Sequence, residues 1–278
     1  MAKYIVKASG DKELFSAQKF ERSLRRAGAD KALIKQLTAK VLKQPDLNTT
    51  KKIYSYAYKK LKRDYPPIAA RYNLKSAIVD LGPTGFPFEY FVAEIFRAKG
   101  YTAHVDQVLT GKCVDHEVDI VLEKDNKHFM VECKFHKGRM KSDVKTPLYI
   151  KARFDDVTQA QGSKNNKHKL DQAIVVTNTK FTSVADRYGT CAGMQMISWS
   201  RPKGATLARM IDEEGLHPIT ALTSLTNKQK KELIDRGLIL CKDIKTNTKL
   251  LHAARLSTTK IEQVMNEATS ICELGAID

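Results

Sequence analysis

The sequence predicts an α/β fold in which a sheet is flanked by helices, with smaller helical segments before and after it. Two apolar, β-branched runs, 116–122 and 129–135, stand on either side of the polar stretch 123–127. Such runs around a polar turn are typical of a β-hairpin. The segment that begins near Phe86 has apolar residues at helical spacing. We therefore expect a hairpin with at least one amphipathic helix packed on it.

Charged side chains interrupt the two runs of the hairpin at selected positions. Glu132 and Lys134 are two residues apart, so they point to one face of their strand, while Cys133 points to the other. Asp119 can lie beside them on the neighbouring strand. Carboxylates at the edge of an apolar sheet are costly to bury without a partner. Oxygen ligands of this kind suit Mg²⁺, which takes one or two protein carboxylates and leaves its other positions to water and phosphate.

The hairpin resembles the catalytic motif of the PD-(D/E)XK nuclease superfamily, in particular of the Mrr-like restriction endonucleases. The resemblance covers roughly residues 82–200, in which 85–101 looks like the first helix of that fold, and 172–178 and 181–188 look like its later strand and helix. The resemblance implies a restriction endonuclease-like core with a mixed sheet flanked by helices. Val118 stands where the family often has a proline.

The same resemblance implies roles for individual residues of this chain. Asp119 and Glu132 are the expected ligands of Mg²⁺ or Mn²⁺, and the backbone carbonyl of Cys133 completes the coordination. Lys134 is the expected catalytic lysine, which positions or activates the attacking water. The alternative is that Glu-x-Lys arises by chance in an amphipathic edge strand.

Glu89 is a further candidate for the site. It borders the apolar stripe of its helix, and an acid there favours a cation nearby. In the Mrr-like pattern a glutamate on this helix approaches the metal. The alternative is a simple acidic charge near a helix N-terminus, which the helix dipole favours. Two histidines flank the acids, His116 and His136. They either tune the site or touch phosphate, and the alternative is that they are solvated loop residues.

The composition agrees with an enzyme that acts on nucleic acid. The chain has 48 Lys and Arg against 31 Asp and Glu, a formal net charge of +17. An anionic partner such as DNA explains this excess better than a general contribution of charge to solubility. Five cysteines without zinc-ligand spacing or an apparent signal peptide indicate a reducing cytoplasm. No apolar run approaches the length of a membrane span, so we expect no membrane partner.

Residues 1–81 are predicted to form a separate unit of one short strand or hairpin followed by helices. The helices are expected at 17–27, 31–42, 50–61 and 68–79, with Ser16 and Thr50 as N-caps. The stretch 81–85 contains glycine and proline and breaks the last helix.

This segment resembles the ATP-cone, a small nucleotide-sensing module. The matching pattern is found at 5–20, 23–24, 27–28, 50–53 and 70–73. The resemblance implies that ATP or dATP binds as a regulatory ligand, through Ile5, Val6, Lys7, Glu13, Lys19, Thr50, Arg71 and Lys75. There is no GxxxxGK[ST] motif, so we expect binding without hydrolysis. The alternative is a small basic helical domain that binds DNA.

The rest of the chain is expected to support the nuclease domain. A helix over 143–160 is predicted to break near Pro147, with Lys151 and Arg153 among the basic residues that reach a nucleic-acid backbone, and a basic loop follows at 161–169. Residues 203–278 are helical and weakly resemble a helix-hairpin-helix unit, which would bind DNA backbone or serve in packing or dimerisation. The predicted domains are thus 1–81, 82–202 and 203–278.

The sequence as a whole therefore predicts a metal-dependent deoxyribonuclease that an adenine nucleotide regulates. Two alternatives stay open: a nucleotide-responsive DNA-binding protein with an inactive nuclease core, and a structure-selective nuclease such as a junction resolvase. A homo-oligomer is also open.

Overall fold

A computed structural model describes residues 3–7, 10–138, 140–160 and 169–273. Residues 161–168 of the predicted basic loop lie outside this part. The chain divides into two compact units, one made of 78–218 and the other of 1–77 together with 219–278. Among the described residues, no helix is both long and apolar enough to cross a bilayer.

The elements are named here in chain order. The strands are β1 (Tyr4–Val6), β2 (Lys12–Leu14), β3 (Thr102–Thr110), β4 (Asp115–Lys124), β5 (Lys127–Lys134), β6 (Lys141–Ser142), β7 (Leu170–Thr177), β8 (Lys180–Phe181) and β9 (Gln195–Ile197). The α-helices are α1 (Ala17–Arg26), α2 (Lys31–Lys43), α3 (Thr50–Asp64), α4 (Pro66–Tyr72), α5 (Leu74–Val79), α6 (Phe86–Ala98), α7 (Lys145–Gln159), α8 (Ser183–Cys191), α9 (Leu207–Glu213), α10 (Asn227–Asp235), α11 (Thr248–Ala253) and α12 (Thr258–Glu273).

A five-stranded mixed sheet in the order β3-β4-β5-β7-β9 forms the centre of unit 78–218. The pairs β3–β4 and β4–β5 are antiparallel, while β5–β7 and β7–β9 are parallel. The predicted hairpin is confirmed as β4–β5. Its two-residue turn, Asp125 and Asn126, has φ angles of 51° and 58°, the left-handed conformation that type I′ hairpin turns require.

Helices α6 and α7 pack against the sheet of this unit, and α8 packs on α7 and β9. Ile150 and Val157 of α7 share an apolar core with strand residues such as Met130 and Val175. The predicted break at Pro147 is wrong, because α7 runs without interruption from Lys145 to Gln159. Pro147 occupies the first turn, where the backbone N–H has no helical acceptor and proline is tolerated.

Residues 3–77 form a short hairpin, β1–β2, and a helical cluster. Ser16 caps α1 as predicted, but the N-cap of α3 is Thr49, whose hydroxyl accepts from Lys52 N at 3.1 Å. Thr50 is the first helical residue instead. The helix predicted at 68–79 is two helices, α4 and α5, which meet at Asn73. Helix α4 starts early because Pro66 and Pro67 have a preset φ that suits the first helical turn.

The C-terminal segment 219–273 shares an apolar core with α4 and α5. Ala70 and Ala77 pack in one cluster with Ile219, Leu251 and Ile271, and α12 contacts α4. Because of this shared core, residues 1–77 and 219–278 belong to one compact unit, whereas residues 203–218 belong to the unit that contains the five-stranded sheet. These groups differ from the three predicted domains, because residues distant in sequence complete one buried surface.

Candidate active site

Glu132 lies at the centre of a buried charge cluster near the end of β5. Its side chain is 5% exposed, and both of its oxygens have cationic partners. Lys134 Nζ donates to Glu132 Oε1 at 2.8 Å, and Arg153 Nη1 donates to Glu132 Oε2 at 2.8 Å. The contact of Glu132 with Lys134 agrees with their predicted position on one face of the strand. The buried carboxylate is thus satisfied by one lysine of its own strand and one arginine of α7.

Asp119 joins this cluster from β4. The register pairs Ile120 with Val131, so Asp119 lies near Glu132 and Cys133. The backbone N–H of Cys133 donates to Asp119 Oδ2 at 2.6 Å. Burial and the negative charge of Glu132 raise the pKa of Asp119 to about 6, although the Cys133 hydrogen bond opposes the rise. The neighbouring cations and the Cys133 N–H therefore do not fully offset the effects of burial and of Glu132 on the Asp119 carboxylate.

Glu89 of α6 faces the same group of acids. Burial, followed by repulsion from Asp119 and Glu132, raises the pKa of Glu89 to about 7. The carboxylate also lies against Gly85 at the start of α6, where an added Cβ would be 2.8 Å from Glu89 Oε1. The structure therefore brings Glu89 into the electrostatic field of Asp119 and Glu132, as the prediction required.

Asp106 of β3 is a neighbour of the site that sequence reasoning missed. Val105 pairs with Ile120 and Gln107 with Val118, so Asp106 stands opposite Asp119. Its φ is +55°, a left-handed conformation that is uncommon inside a strand and that Asp tolerates better than most residues. Its charge contributes to the raised pKa of Glu89. Only the backbone conformation marks this residue, and no sequence motif does.

Arg153 lies in the buried charge cluster and not at the protein surface, where it was predicted. It was expected to reach a nucleic-acid backbone from the surface, but it is 8% exposed and ion-paired with Glu132. Its guanidinium also lies 5.3 Å from the ring centroid of Tyr149. Lys151, which was expected to act with it, pairs with Asp155 on the same helix. Arg153 is thus a component of the buried cluster, because α7 turns this residue inwards.

Residues at the end of β7 hold the backbone of the segment that follows β5. Thr177 Oγ1 donates to the backbone carbonyl of Lys134 at 2.8 Å. The Asn178 side chain accepts from the His136 N–H at 2.8 Å and donates to the His136 carbonyl at 2.9 Å. Asn178 is 1% exposed. These three bonds fix the backbone on both sides of Phe135, and therefore the position of Lys134.

The two flanking histidines are held by polar neighbours. His136 Nε2 lies 2.9 Å from Ser142 Oγ, and burial together with the charge of Lys134 lowers the pKa of His136. His116 Nε2 lies 2.8 Å from Asp156 Oδ2. This contact is the main cause that lowers the pKa of Asp156 to about 2. His116 thus belongs to a contact between β4 and α7, and His136 lies in the loop that follows β5.

The donor chemistry of the site fits a hard divalent cation. Asp119 and Glu89 both have pKa values raised by burial and by neighbouring carboxylates, so added positive charge would be stabilised there. Among the residues described, no group of three or more His, Cys, Asp or Glu side chains is arranged to hold a metal by itself. Mg²⁺ needs only one or two carboxylates and keeps several waters, so the pair Asp119 and Glu132 is an adequate ligand set.

The eight residues predicted to bind a nucleotide are brought together only in part. Lys7 Nζ and Glu13 Oε2 form an ion pair at 2.6 Å, and Val6 N donates to the Asn48 carbonyl at 2.9 Å, beside Thr50. Ile5 and Arg71 are buried, whereas Lys19 and Lys75 are exposed. A cavity of about 380 Å³ between α1 and α2 contains none of the eight. Their role in binding stays a prediction.

Two protein families match this chain, and neither range includes residues before 83. The family described as restriction endonuclease, Mrr_cat, matches residues 83–211. The family described as AF1548-like, C-terminal, matches residues 217–272. The first range contains Asp119, Glu132 and Lys134. The resemblance to a PD-(D/E)XK nuclease is therefore confirmed, and the ATP-cone resemblance has no support from these matches.

Similar individual proteins are themselves of unknown function or only distantly similar. An uncharacterized protein of Archaeoglobus fulgidus is 32% identical over 181 residues, which cover 65% of this chain and 99% of that protein. The crystal structure of a protein of unknown function, AF1548, is 29% identical with a TM-score of 0.56, and covers 68% of this chain and 98% of that chain. Can2 from Sulfobacillus thermosulfidooxidans, solved with cyclic tetra-adenylate, is 14% identical with a TM-score of 0.30 over 65% of this chain and 49% of that chain. That last similarity is too low to support an argument.

Proposed function

We propose that this chain, which belongs to one family with the uncharacterized protein of Archaeoglobus fulgidus and matches the restriction endonuclease and AF1548-like C-terminal families, is a Mg²⁺-dependent endonuclease that hydrolyses DNA phosphodiester bonds. The observation that carries the proposal is the convergence of Asp119, Glu132 and Lys134 on β4 and β5, with Lys134 Nζ held 2.8 Å from Glu132 Oε1.

Asp119, Glu132 and the Cys133 carbonyl are the groups that would hold the ion. When bound, Mg²⁺ stabilises the charge that builds on the phosphate. The raised pKa values of Asp119 and Glu89 support this assignment, because a dication relieves the repulsion among buried carboxylates. Glu89 supports the site from α6 without being one of the proposed ligands.

Lys134 has the central role among the side chains. Its ammonium is held by Glu132, and its backbone carbonyl is held by Thr177. A lysine restrained in this way can donate hydrogen bonds to the attacking water and to the phosphate oxygen on which charge develops. Water then forms the new P–O bond and gives up a proton to the solvent, while the P–O bond to the leaving nucleotide breaks and the leaving oxygen takes up a proton from the solvent.

Arg153 acts through Glu132. A single cation that paired with a buried carboxylate would leave its second oxygen unsatisfied, and Arg153 satisfies Oε2. We expect Arg153 to keep the Glu132 carboxylate oriented, as a positioning residue.

The decisive experiment is a panel of DNA and RNA substrates with Mg²⁺, Mn²⁺ or EDTA. It includes supercoiled plasmid, linear duplex, single strands and four-way junctions. We expect divalent-dependent cleavage of at least one DNA substrate. Cleavage restricted to junctions would identify a structure-selective nuclease. Tight DNA binding with no cleavage in either metal would contradict the proposal and favour a binding protein with an inactive core.

We also propose that an adenine nucleotide binds the segment 3–77 and alters the nuclease. The feature that supports this is the ion pair of Lys7 with Glu13, which places one phosphate-binding and one base- or ribose-binding candidate side by side. Binding could change activity only if the nucleotide favoured one state of the protein over another.

Calorimetry tests the nucleotide proposal. ATP and dATP are titrated into the wild type and into Lys7→Ala, with Lys31→Ala as a control on an exposed lysine of α2. We expect binding that Lys7→Ala weakens and the control preserves. Absence of binding at millimolar nucleotide would remove the proposal. Binding without any change in cleavage rate or oligomer size would remove its regulatory part.

A further inference from the structure

A cavity of about 680 Å³ lies beside the C-terminal ends of β7 and β9. Its walls come from the segment 180–183, from α8, and from the segment 198–201 that follows β9. The cavity is distinct from the carboxylate cluster, and none of Asp119, Glu132 or Lys134 lines it.

The lining of this cavity carries an excess of positive charge. Lys180, Arg187 and Arg201 provide three cations against one carboxylate, Asp186. Arg201 Nη1 lies 3.7 Å from Asp186 Oδ2, and its side chain is 73% exposed, so this pair is weak. Within the described part of the chain, neither Lys180 nor Arg187 has a carboxylate within ion-pair distance. Two cations therefore remain available to an anion.

Hydroxyl groups add neutral donors to these cations. Thr182, Ser183, Thr190 and Ser200 line the same cavity, and Thr182 and Ser183 stand at the start of α8. Cations combined with hydroxyl donors and a first helical turn are the groups that bind phosphate in proteins. Phe181 also lines the cavity and offers an apolar surface to a sugar or base.

The topology places this cavity on the same edge of the sheet as Lys134. Strands β5, β7 and β9 are parallel, so their C-terminal ends lie together. Lys134 pairs with Thr177, three residues before Lys180. Neighbouring strands are about 4.8 Å apart, so β7 and β9 end about 5–10 Å from the end of β5. A nucleic-acid strand covers such a distance in a few nucleotides, at about 3.4 Å each.

Backbone contacts connect the cavity wall with the loop after Lys134. Strand β8 pairs with β6 through Ser142 and Phe181, and Thr182 N donates to the Ser142 carbonyl at 3.0 Å. Ser142 Oγ lies 2.9 Å from His136 Nε2, two residues beyond Lys134. The wall and the catalytic strand are therefore joined by a short, hydrogen-bonded path.

We propose that this cavity binds a phosphate of the substrate strand next to the scissile bond, through Lys180, Arg187 and the start of α8. The inference rests on the proposed nuclease function and adds a second anchor for the substrate. The anchor fixes the register of the strand, so its loss weakens substrate binding and leaves the chemical step intact.

Paired variants test the anchor. The double variant Lys180→Ala/Arg187→Ala, called the cavity pair, removes one exposed lysine and one exposed arginine at the cavity. The double variant Lys127→Ala/Arg209→Ala, called the control pair, removes the same charges elsewhere in the unit: Lys127 opens β5 at the opposite end from Lys134, and Arg209 pairs with Glu213 on α9. Binding of labelled oligonucleotides is measured against salt by fluorescence anisotropy in EDTA, and cleavage is measured with Mg²⁺.

The cavity pair should raise Kd and KM at least about tenfold and should leave kcat within about twofold of the wild-type value. It should also reduce the slope of log K against log salt by about one for each lost phosphate contact. The control pair should change Kd by less than about threefold. Equal effects of the two pairs, or no effect of the cavity pair, would overturn the inference while leaving the nuclease proposal in place. A wild type that neither binds nor cleaves any substrate would overturn both.

Oligonucleotides with a 5′-phosphate or a 5′-hydroxyl separate an internal phosphodiester from a terminal phosphate. We expect equal binding, because the anchor is assigned to a phosphate within the strand. A strong preference for the 5′-phosphate, abolished in the cavity pair, would overturn that assignment in favour of a chain-end site.

Cys191 provides a readout that does not depend on catalysis. It is an exposed thiol that lines the cavity, so a bound strand should slow its alkylation, as measured by mass spectrometry of the modified peptide. The protection should be lost in the cavity pair at the same oligonucleotide concentration. An unchanged alkylation rate at saturating oligonucleotide would contradict the inference.

Discussion

The β4–β5 hairpin in unit 78–218 and the predicted nucleotide segment in 3–77 differ in how their candidate residues are brought together. On the hairpin, Glu132 and Lys134 are two residues apart on one strand and Asp119 lies on the adjacent strand, so local β geometry is sufficient to collect them. In the N-terminal segment, Glu13 pairs with Ile5 across the β1–β2 hairpin and forms an ion pair with Lys7, whereas the other predicted residues come largely from separate helices.

The difference shows which kind of site a sequence pattern predicts well. A two-residue turn determines the register of a hairpin, and register determines which side chains share a face. A site assembled from the β1–β2 hairpin and from α1, α3, α4 and α5 depends instead on how separate helices pack. The predictions below test this contrast, starting with the largest expected effect.

Lys134→Ala is expected to reduce cleavage by at least about 10²-fold, because a restrained acid–base or charge-stabilising group contributes about 10²–10⁴-fold. DNA affinity should stay within about threefold, since one lysine at the strand end contributes little to total charge. Plasmid cleavage with Mg²⁺ and anisotropy in EDTA provide the two measurements.

Lys127→Ala, at the other end of the same strand, is the matched control and should cleave at the wild-type rate. If Lys134→Ala cleaves as fast as Lys127→Ala, the hairpin is not the catalytic site and the contrast between the two regions disappears.

Arg153→Met should destabilise the protein by about 3 kcal/mol, because it leaves the buried Glu132 with a single cationic partner. Urea denaturation at pH 8 measures this. The double variant Glu132→Gln/Arg153→Met should lose less than the sum of the two single variants, because each removes the same interaction.

Arg209→Met is the control for this effect, since the pair of Arg209 with Glu213 is exposed and should cost less than about 1 kcal/mol. Equal costs for Arg153→Met and Arg209→Met would show that the buried pair does not stabilise the site.

The stability of the metal-free protein should fall as pH rises from 5 to 8. Glu89 and Asp119 have folded-state pKa values of about 7 and about 6, above the ordinary values of about 4. Their stabilising contribution is complete below about pH 4 and is lost as the pH rises through those raised values. Thermal unfolding in EDTA should show a Tm lower by a few degrees at pH 8, to the order of about 2–5 °C.

Glu89→Gln removes one of the two groups, so its Tm should fall less over the same pH range. Glu117→Gln, on an exposed residue of β4, should behave like the wild type. Mg²⁺ should raise Tm at pH 8 more than at pH 5, because the carboxylates must be ionised to bind it. A wild-type pH profile identical to that of Glu89→Gln would contradict the proposed charge cluster.

Thr49→Ala should destabilise the unit that contains α3 by about 1 kcal/mol, the typical cost of losing an N-cap. Thr50→Ala should cost less than about 0.5 kcal/mol, because Thr50 is already helical. Chemical denaturation of the full chain compares the two. The reverse order would restore the capping role that the sequence predicted for Thr50.

The sequence by itself determined the hairpin, the shared face of Glu132 and Lys134, and the helix that carries Glu89. Alternation along a strand, a polar turn between two apolar runs and the apolar spacing of α6 are local properties, and each can be recognised without knowledge of any distant contact. The sequence predicted the turn over 123–127, and the structure confines it to Asp125 and Asn126. The cap at Ser16 belongs to the same class, because one side chain satisfies a backbone N–H three residues away.

Tertiary structure alone decided the partners of those local features. Arg153 reaches Glu132 across 21 residues, Thr177 reaches the Lys134 carbonyl across 43 residues, and residues 219–273 complete a core with α4. A buried charge must find its counter-charge wherever packing brings one. The spacing of residues in the sequence does not predict which partner a side chain contacts. That partner depends on how α7, β7 and the C-terminal helices bury their apolar faces.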